Sequence, residues 1–259
     1  MKPLAILLCF TLCLYACSSP NKKTVARRLK TDTTAKPHAA DTVFSGDTNM
    51  TVPPYGLEKV QALIGKITSV EDTNSDGRTE ALDEKTYALL SFREKFTYHM
   101  INQEAYSQNC DILPERTDEV HRIYGHLPDI FGEYEWSDRQ LDFFKTNRDS
   151  VETLMKLLIV ETNGVGDNFK EAIVEMNGKE MIPSLIDSYN KERKDHYILT
   201  VLMLLMKQNE YPEFMGSTSF KKLYDRPSDE YSAYLTYNKA NEDLIIQRAT
   251  NFYNGLSKK

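Results

Sequence analysis

The chain is poor in the residues that build reactive loops and covalent crosslinks. It holds one tryptophan, eleven glycines and four cysteines in 259 residues. Cys9, Cys13 and Cys17 fall within the first seventeen positions, so only Cys110 lies in the remainder, and a single thiol cannot close an internal disulfide. Neither a glycine-rich phosphate loop nor a Gly-x-Ser-x-Gly elbow occurs, which removes two widespread enzyme signatures. No apolar run approaches the ~20 residues that a membrane-spanning helix needs. A basic footprint for nucleic acid is missing too: from residue 56 on there are 25 Lys plus Arg against 35 Asp plus Glu, a formal charge of −10.

What is present begins at the N-terminus. Lys2, an apolar run from Leu4 to Leu14, and Leu14-Tyr15-Ala16-Cys17 stand in that order, the arrangement of a cleaved export signal. The ending resembles a bacterial lipoprotein signal. The resemblance implies that Leu14 and Ala16 are recognition positions, that residues 1–16 are removed, and that Cys17 becomes the lipidated, palmitate-bearing first residue. Ser18-Ser19-Pro20-Asn21 carries no acidic residue, which fits retention at the outer membrane facing the periplasm. From 17 to 54 the chain is rich in Thr, Ser, Ala, Lys, Asp and Pro. It has too little to bury to offset the entropy of ordering, and reads as a flexible tether. Lys22, Lys23, Arg27, Arg28 and Lys30 lie near the anchor, where solvent or anionic headgroups would meet them.

Beyond Tyr55 the apolar spacing is helical nearly throughout, and the expected fold class is all-α. Val60, Leu63, Ile64, Ile67 and Val70 recur at helix spacing, as do Leu82, Thr86, Leu89, Arg93, Phe96 and Met100. Ser137 to Gln140 resembles a capping box. Further helices are expected over Val151 to Val160, stopped at Asn163-Gly164; over Phe169 to Met176, capped by Asp167 and ended by Gly178; and after Pro183. The run Tyr197 to Met206 is apolar on every side and is expected to be the most buried helix. A last helix is expected from Ser228, carrying Tyr231, Leu235, Leu244, Ile245 and Phe252. Residues 149–160 and 195–206 echo one another at an offset of 46. Helical hairpins packed as an irregular bundle and a short HEAT-like solenoid both accommodate that echo. Domain limits follow as 55–103 for a helix-loop-helix and 104–259 for a helical domain packed with it.

One stretch carries cofactor chemistry. Asp72, Asn74, Asp76, Gly77, Arg78, Glu80 and Asp83 stand at the spacing of an EF-hand loop, in which oxygen ligands and a sharply turning glycine wrap one hard cation. The resemblance, shared with dockerin-like loops, implies a Ca2+ held by Asp72, Asn74, Asp76, the Arg78 carbonyl, Glu80 and Asp83 between two helices. Thr79 at position 8 and the short Asp83 at position 12 lower the expected affinity, to roughly 10⁻⁴–10⁻³ M. An unpaired loop implies a structural ion.

Other candidates carry less. His121 and His126 are five apart and so do not share a helix face, and they are expected at the surface around a helix stop at Gly125. Cys110 with His99 or His121 has no accompanying nucleophile signature. Glu133, Tyr134, Glu135, Trp136 and Asp138 put carboxylates beside aromatics, a composition used by sugar sites and equally by helix starts. The functional expectation is a lipid-anchored envelope module that binds a protein partner, with calcium for stability. The alternatives are an envelope hydrolase or lyase acting on glycan through Glu133 or Glu135, and an immunity-type inhibitor of a periplasmic toxin.

Overall fold

The computed structural model describes residues 49–71, 77–108, 116–225 and 231–256. The signal segment 1–16, Cys17, Cys110, the loop positions Asp72, Asn74 and Asp76, and all of the 17–54 tether before residue 49 lie outside the described residues.

Helices dominate, and five of the eleven described begin where a side chain satisfies an exposed N–H group of the first turn. Helix α1 (Leu57–Ile64) follows Gly56, whose φ of 63° only glycine adopts without strain, and it stops at Gly65. The apolar spacing that continues to Ile67 and Val70 therefore runs past its end. Helix α2 (Glu84–Ala88) is capped by Asp83, and α3 (Phe92–Ile101) by a full capping box of Ser91 and Glu94. That cap splits what the spacing from Leu82 to Met100 presents as one helix. Helix α4 (Asp138–Thr146) starts on the expected box of Ser137 and Gln140, and α5 (Arg148–Thr162) ends at left-handed Asn163. Helix α6 (Asp167–Glu175) is capped by Gly166, with Asp167 one step inside; α7 (Ile182–Glu192) takes Pro183 in its first turn. Helices α8 (His196–Gln208), α9 (Pro212–Met215), α10 (Thr218–Tyr224) and α11 (Lys239–Leu256) complete the set.

The all-α expectation is corrected by two small antiparallel sheets. Strands β1 (Val70–Glu71), β2 (Gly77–Thr79), β3 (Ala105–Ser107) and β5 (Tyr134–Glu135) pair in the order β1-β2-β3-β5, while β4 (Arg122–Tyr124) pairs with β6 (Tyr234–Thr236). Leu235, expected in the last helix, sits in β6 opposite Ile123, and that helix starts later, at Lys239. Gly125 follows β4 and stops no helix; His121 closes a single 3-10 turn, Glu119–His121, just before that strand, and His126 comes after it.

Helix α8 supplies the centre of the core, with ten of its residues buried. It packs against α11, α7, α6 and β4. Leu199, Val201, Leu202, Met203, Leu205 and Met206 are wholly excluded from solvent, each contributing about 1.5–3 kcal/mol of burial. Helix α3 serves two cores at once. Phe96 and Met100 join the main cluster, whereas Tyr98 packs with Val60, Leu82, Tyr87 and Leu90 in a smaller one.

The folded body also starts earlier than Tyr55. Asn49 N–H donates to Asp167 Oδ2 and Thr51 N–H to Asn168 Oδ1; in return Asp167 N–H reaches the Asn49 carbonyl, Gly166 N–H the Thr51 hydroxyl, and Asn168 Nδ2 the Thr51 carbonyl. A Cβ on Gly166 would lie 2.3 Å from the Thr51 nitrogen, so glycine is required for this approach.

Candidate functional site

The four-stranded sheet brings together residues that the sequence presents in three separate places. Its register sets Arg78 of β2 opposite Tyr106 of β3, and Tyr106 opposite Tyr134 of β5, so the three side chains form one row on one face. The Arg78 guanidinium lies over the Tyr106 ring at 3.7 Å, and the two tyrosine rings meet edge to face at 5.2 Å. Arg78 also donates to Tyr134 Oη at 3.1 Å and, through Nε, to Glu80 Oε1 at 2.7 Å. Glu80 accepts further bonds from Ser69 Oγ at 2.8 Å and Tyr134 Oη at 3.2 Å. Arg78, Glu80, Tyr106 and Tyr134 are all partly exposed.

These bonds fix the charge states. Partial burial works against charge on Glu80, but the donors Ser69, Arg78 and Tyr134 outweigh it and hold the carboxyl below the usual carboxylate range. Tyr134 and Glu80 push the Arg78 guanidinium further above its ordinary range, and the neighbouring Glu133 carboxylate raises the Tyr106 phenol. Near neutral pH, Glu80 is ionised and Tyr106 protonated. Glu80 has no proton to donate, and both its oxygens are engaged; the cluster is suited to holding a ligand by ring faces and hydrogen bonds.

A second network fastens this sheet to the helices. Glu80 N–H donates to the Glu104 carbonyl at 2.7 Å. The Glu104 side chain, 2% exposed, accepts from Tyr98 Oη at 2.7 Å, from Ser137 Oγ at 2.5 Å and from Arg139. Gln140 receives Glu104 N–H and donates to the Asn102 carbonyl and His99 Nδ1, which leaves His99 Nε2 to donate to Tyr87 Oη. Burial, with Arg139 and Lys95 nearby, drives the His99 pKa well down, so the imidazole is neutral. His99 is fully enclosed, which disqualifies it as a base for an external substrate.

Of the calcium-loop positions, those described have local tasks. Strands β1 and β2 flank the 72–76 segment where helices were expected, because α1 has already ended at Ile64 and α2 waits for its cap at Asp83. Asp83 Oδ1 accepts Thr86 N–H at 3.0 Å as that cap. Arg78 and Glu80 join the row described above. Among the described residues, no three or more His, Cys, Asp or Glu side chains are grouped to hold a metal. The acidic–aromatic stretch divides: Tyr134 faces the row, Trp136 is buried and donates to the His99 carbonyl, and Asp138 opens α4. His121 is exposed and pairs with Asp118 at 2.5 Å; the His126 ring meets Tyr224 edge-on. Tyr106 and Ser69 carry no local signal, and only the strand register reveals them. Comparison with protein-family models, with curated proteins and with solved structures finds no match in any of the three.

Proposed function

We propose that this chain is a lipid-anchored protein of the bacterial envelope whose helical body displays a recognition surface on the β1-β2-β3-β5 sheet. The anchor rests on the succession of Lys2, the apolar run from Leu4 to Leu14, and Leu14-Tyr15-Ala16-Cys17 in the sequence. The observation that carries the binding reading is the row Arg78, Tyr106, Tyr134 with Glu80: arginine and tyrosine, held rigid by mutual bonds and partly open to solvent, are the side chains that contribute most per residue at recognition surfaces. Glu80, held ionised with both oxygens engaged, serves in this row as a hydrogen-bond acceptor and not as a proton donor.

The body is read as an irregular bundle. The helices from α5 to α11 have 15, 9, 11, 13, 4, 7 and 18 residues, which no repeating hairpin unit generates.

A photo-reactive residue at Gln108, exposed just after β3, should capture a binding partner in intact cells. The same residue at Val160, 74% exposed on α5, should not. Equal capture at both positions, or none at either, removes the sheet as the recognition surface. Cys17→Ser should leave the protein in the aqueous phase of a detergent partition or unprocessed; unchanged mass and full partition into detergent would remove the anchor.

A further inference from the structure

The chemistry of the row narrows what it binds, and this step rests on the sheet being the recognition surface. We infer that the Arg78–Tyr106–Tyr134 row is a binding site for an uncharged glycan, with ring faces for the sugar and the Arg78–Glu80 pair for its hydroxyls.

The charge balance makes the selection. Arg78 is neutralised by Glu80 at 2.7 Å, and Glu133 stands beside the Tyr106 hydroxyl. No uncompensated positive charge is left for a phosphate, an acidic peptide or an anionic headgroup, each of which needs one. A cationic peptide is disfavoured because both carboxylates are already engaged: the Glu80 oxygens accept from Ser69, Arg78 and Tyr134, and Glu133 accepts from the Tyr106 hydroxyl. An apolar partner would require a hydrophobic patch, and these four side chains all end in polar groups. A neutral sugar chain meets all three conditions. Its C–H groups pack on the part of the tyrosine rings that Arg78 and the edge-to-face contact leave exposed, and its hydroxyls both donate and accept, so they add to an ion pair without displacing it. Three residues on adjacent strands span about 10 Å, two strand spacings, the length of a short oligosaccharide segment. The mutual bonds also keep the row in one arrangement, which lowers the entropy cost of binding.

The test is retention of the purified full-length chain on insoluble chitin and cellulose, with insoluble polygalacturonate as the anionic comparison. Retention on a neutral glycan, reversed by its soluble oligosaccharide, is expected. Tyr106→Ala and Arg78→Ala should weaken it about tenfold each, Tyr106→Phe should keep most of it, and Tyr234→Ala on the other sheet should leave it unchanged. Melting temperatures of all variants separate lost binding from lost fold, and competition by soluble oligosaccharide tests the wild type without any substitution. Retention on polygalacturonate alone, on nothing, or equally by wild type and Tyr106→Ala overturns the inference. If Gln108 captures a protein in cells while neutral glycans are not retained, the recognition surface stands and the glycan falls. If neither occurs, both fall.

Discussion

The two sheets are built from strands of two or three residues, and they meet opposite fates. In the β4–β6 ribbon, Ile123 and Leu235 lie opposite one another and are 0% and 5% exposed. The outward carbonyls of β4 are taken up by α8, whose His196 Nδ1 meets the Arg122 carbonyl at 3.2 Å and whose Thr200 hydroxyl meets the Tyr124 carbonyl at 2.8 Å. The four-stranded sheet has its own strands as its closest neighbours. It is held by cross-strand pairs and by the Glu104 network at its base. Strands this short have little stability alone. The ribbon is completed by a helix and becomes core; the sheet is completed by polar side chains and remains a surface.

The largest test of that difference is Glu104→Ala, which strips Tyr98, Ser137 and Arg139 of a buried acceptor. A loss of about 3–5 kcal/mol is expected in denaturant unfolding. Amide exchange should accelerate first at Glu80 and β2, with β4 following only on global unfolding. Exchange that accelerates first in β4 would show that the two sheets are not supported independently. A smaller effect is expected from Thr200→Val, which keeps the packing but leaves the Tyr124 carbonyl unpaired in the core: about 1–3 kcal/mol, with Thr200→Ser retaining most of the stability. An unchanged Thr200→Val would mean that α8 holds β4 by apolar contact alone. The smallest effect is the acid response of the exposed sheet. Because the Glu80 pKa is lowered on folding, its stabilisation is complete above about 4.5 and is lost as pH falls through the folded value. With partial exposure the contribution is under about 1 kcal/mol. Exchange at β2 should therefore quicken below pH 4.5 in wild type, and Glu80→Gln should flatten that dependence while β4 is indifferent to the change.

The helices were legible because their signals are local. A capping box at Ser137, a left-handed Asn163, Pro183 in a first turn and the all-round apolar run of α8 each need only a few consecutive residues to be recognised. The sheets were not, since two or three residues cannot display an alternation of period two. Leu235 and Val70 fell at helical spacing by coincidence, and both lie in strands. The candidate site was half legible. Arg78 and Glu80 stood out as loop positions and Tyr134 as part of an acidic–aromatic stretch, but the sequence separation of 54 between Glu80 and Tyr134 hides their hydrogen bond from any linear pattern.

The docking of Asn49 and Thr51 onto the Gly166–Asn168 turn has a mechanical meaning. Any load arriving along the chain ahead of Asn49 enters the body through five hydrogen bonds at the start of α6. Phe169, the next residue in α6, is locked in the main core and carries that load onward. Helix α1 and the exposed sheet follow the clamp in the chain. The clamp thus hands a pull at Asn49 to the core before it reaches those later segments.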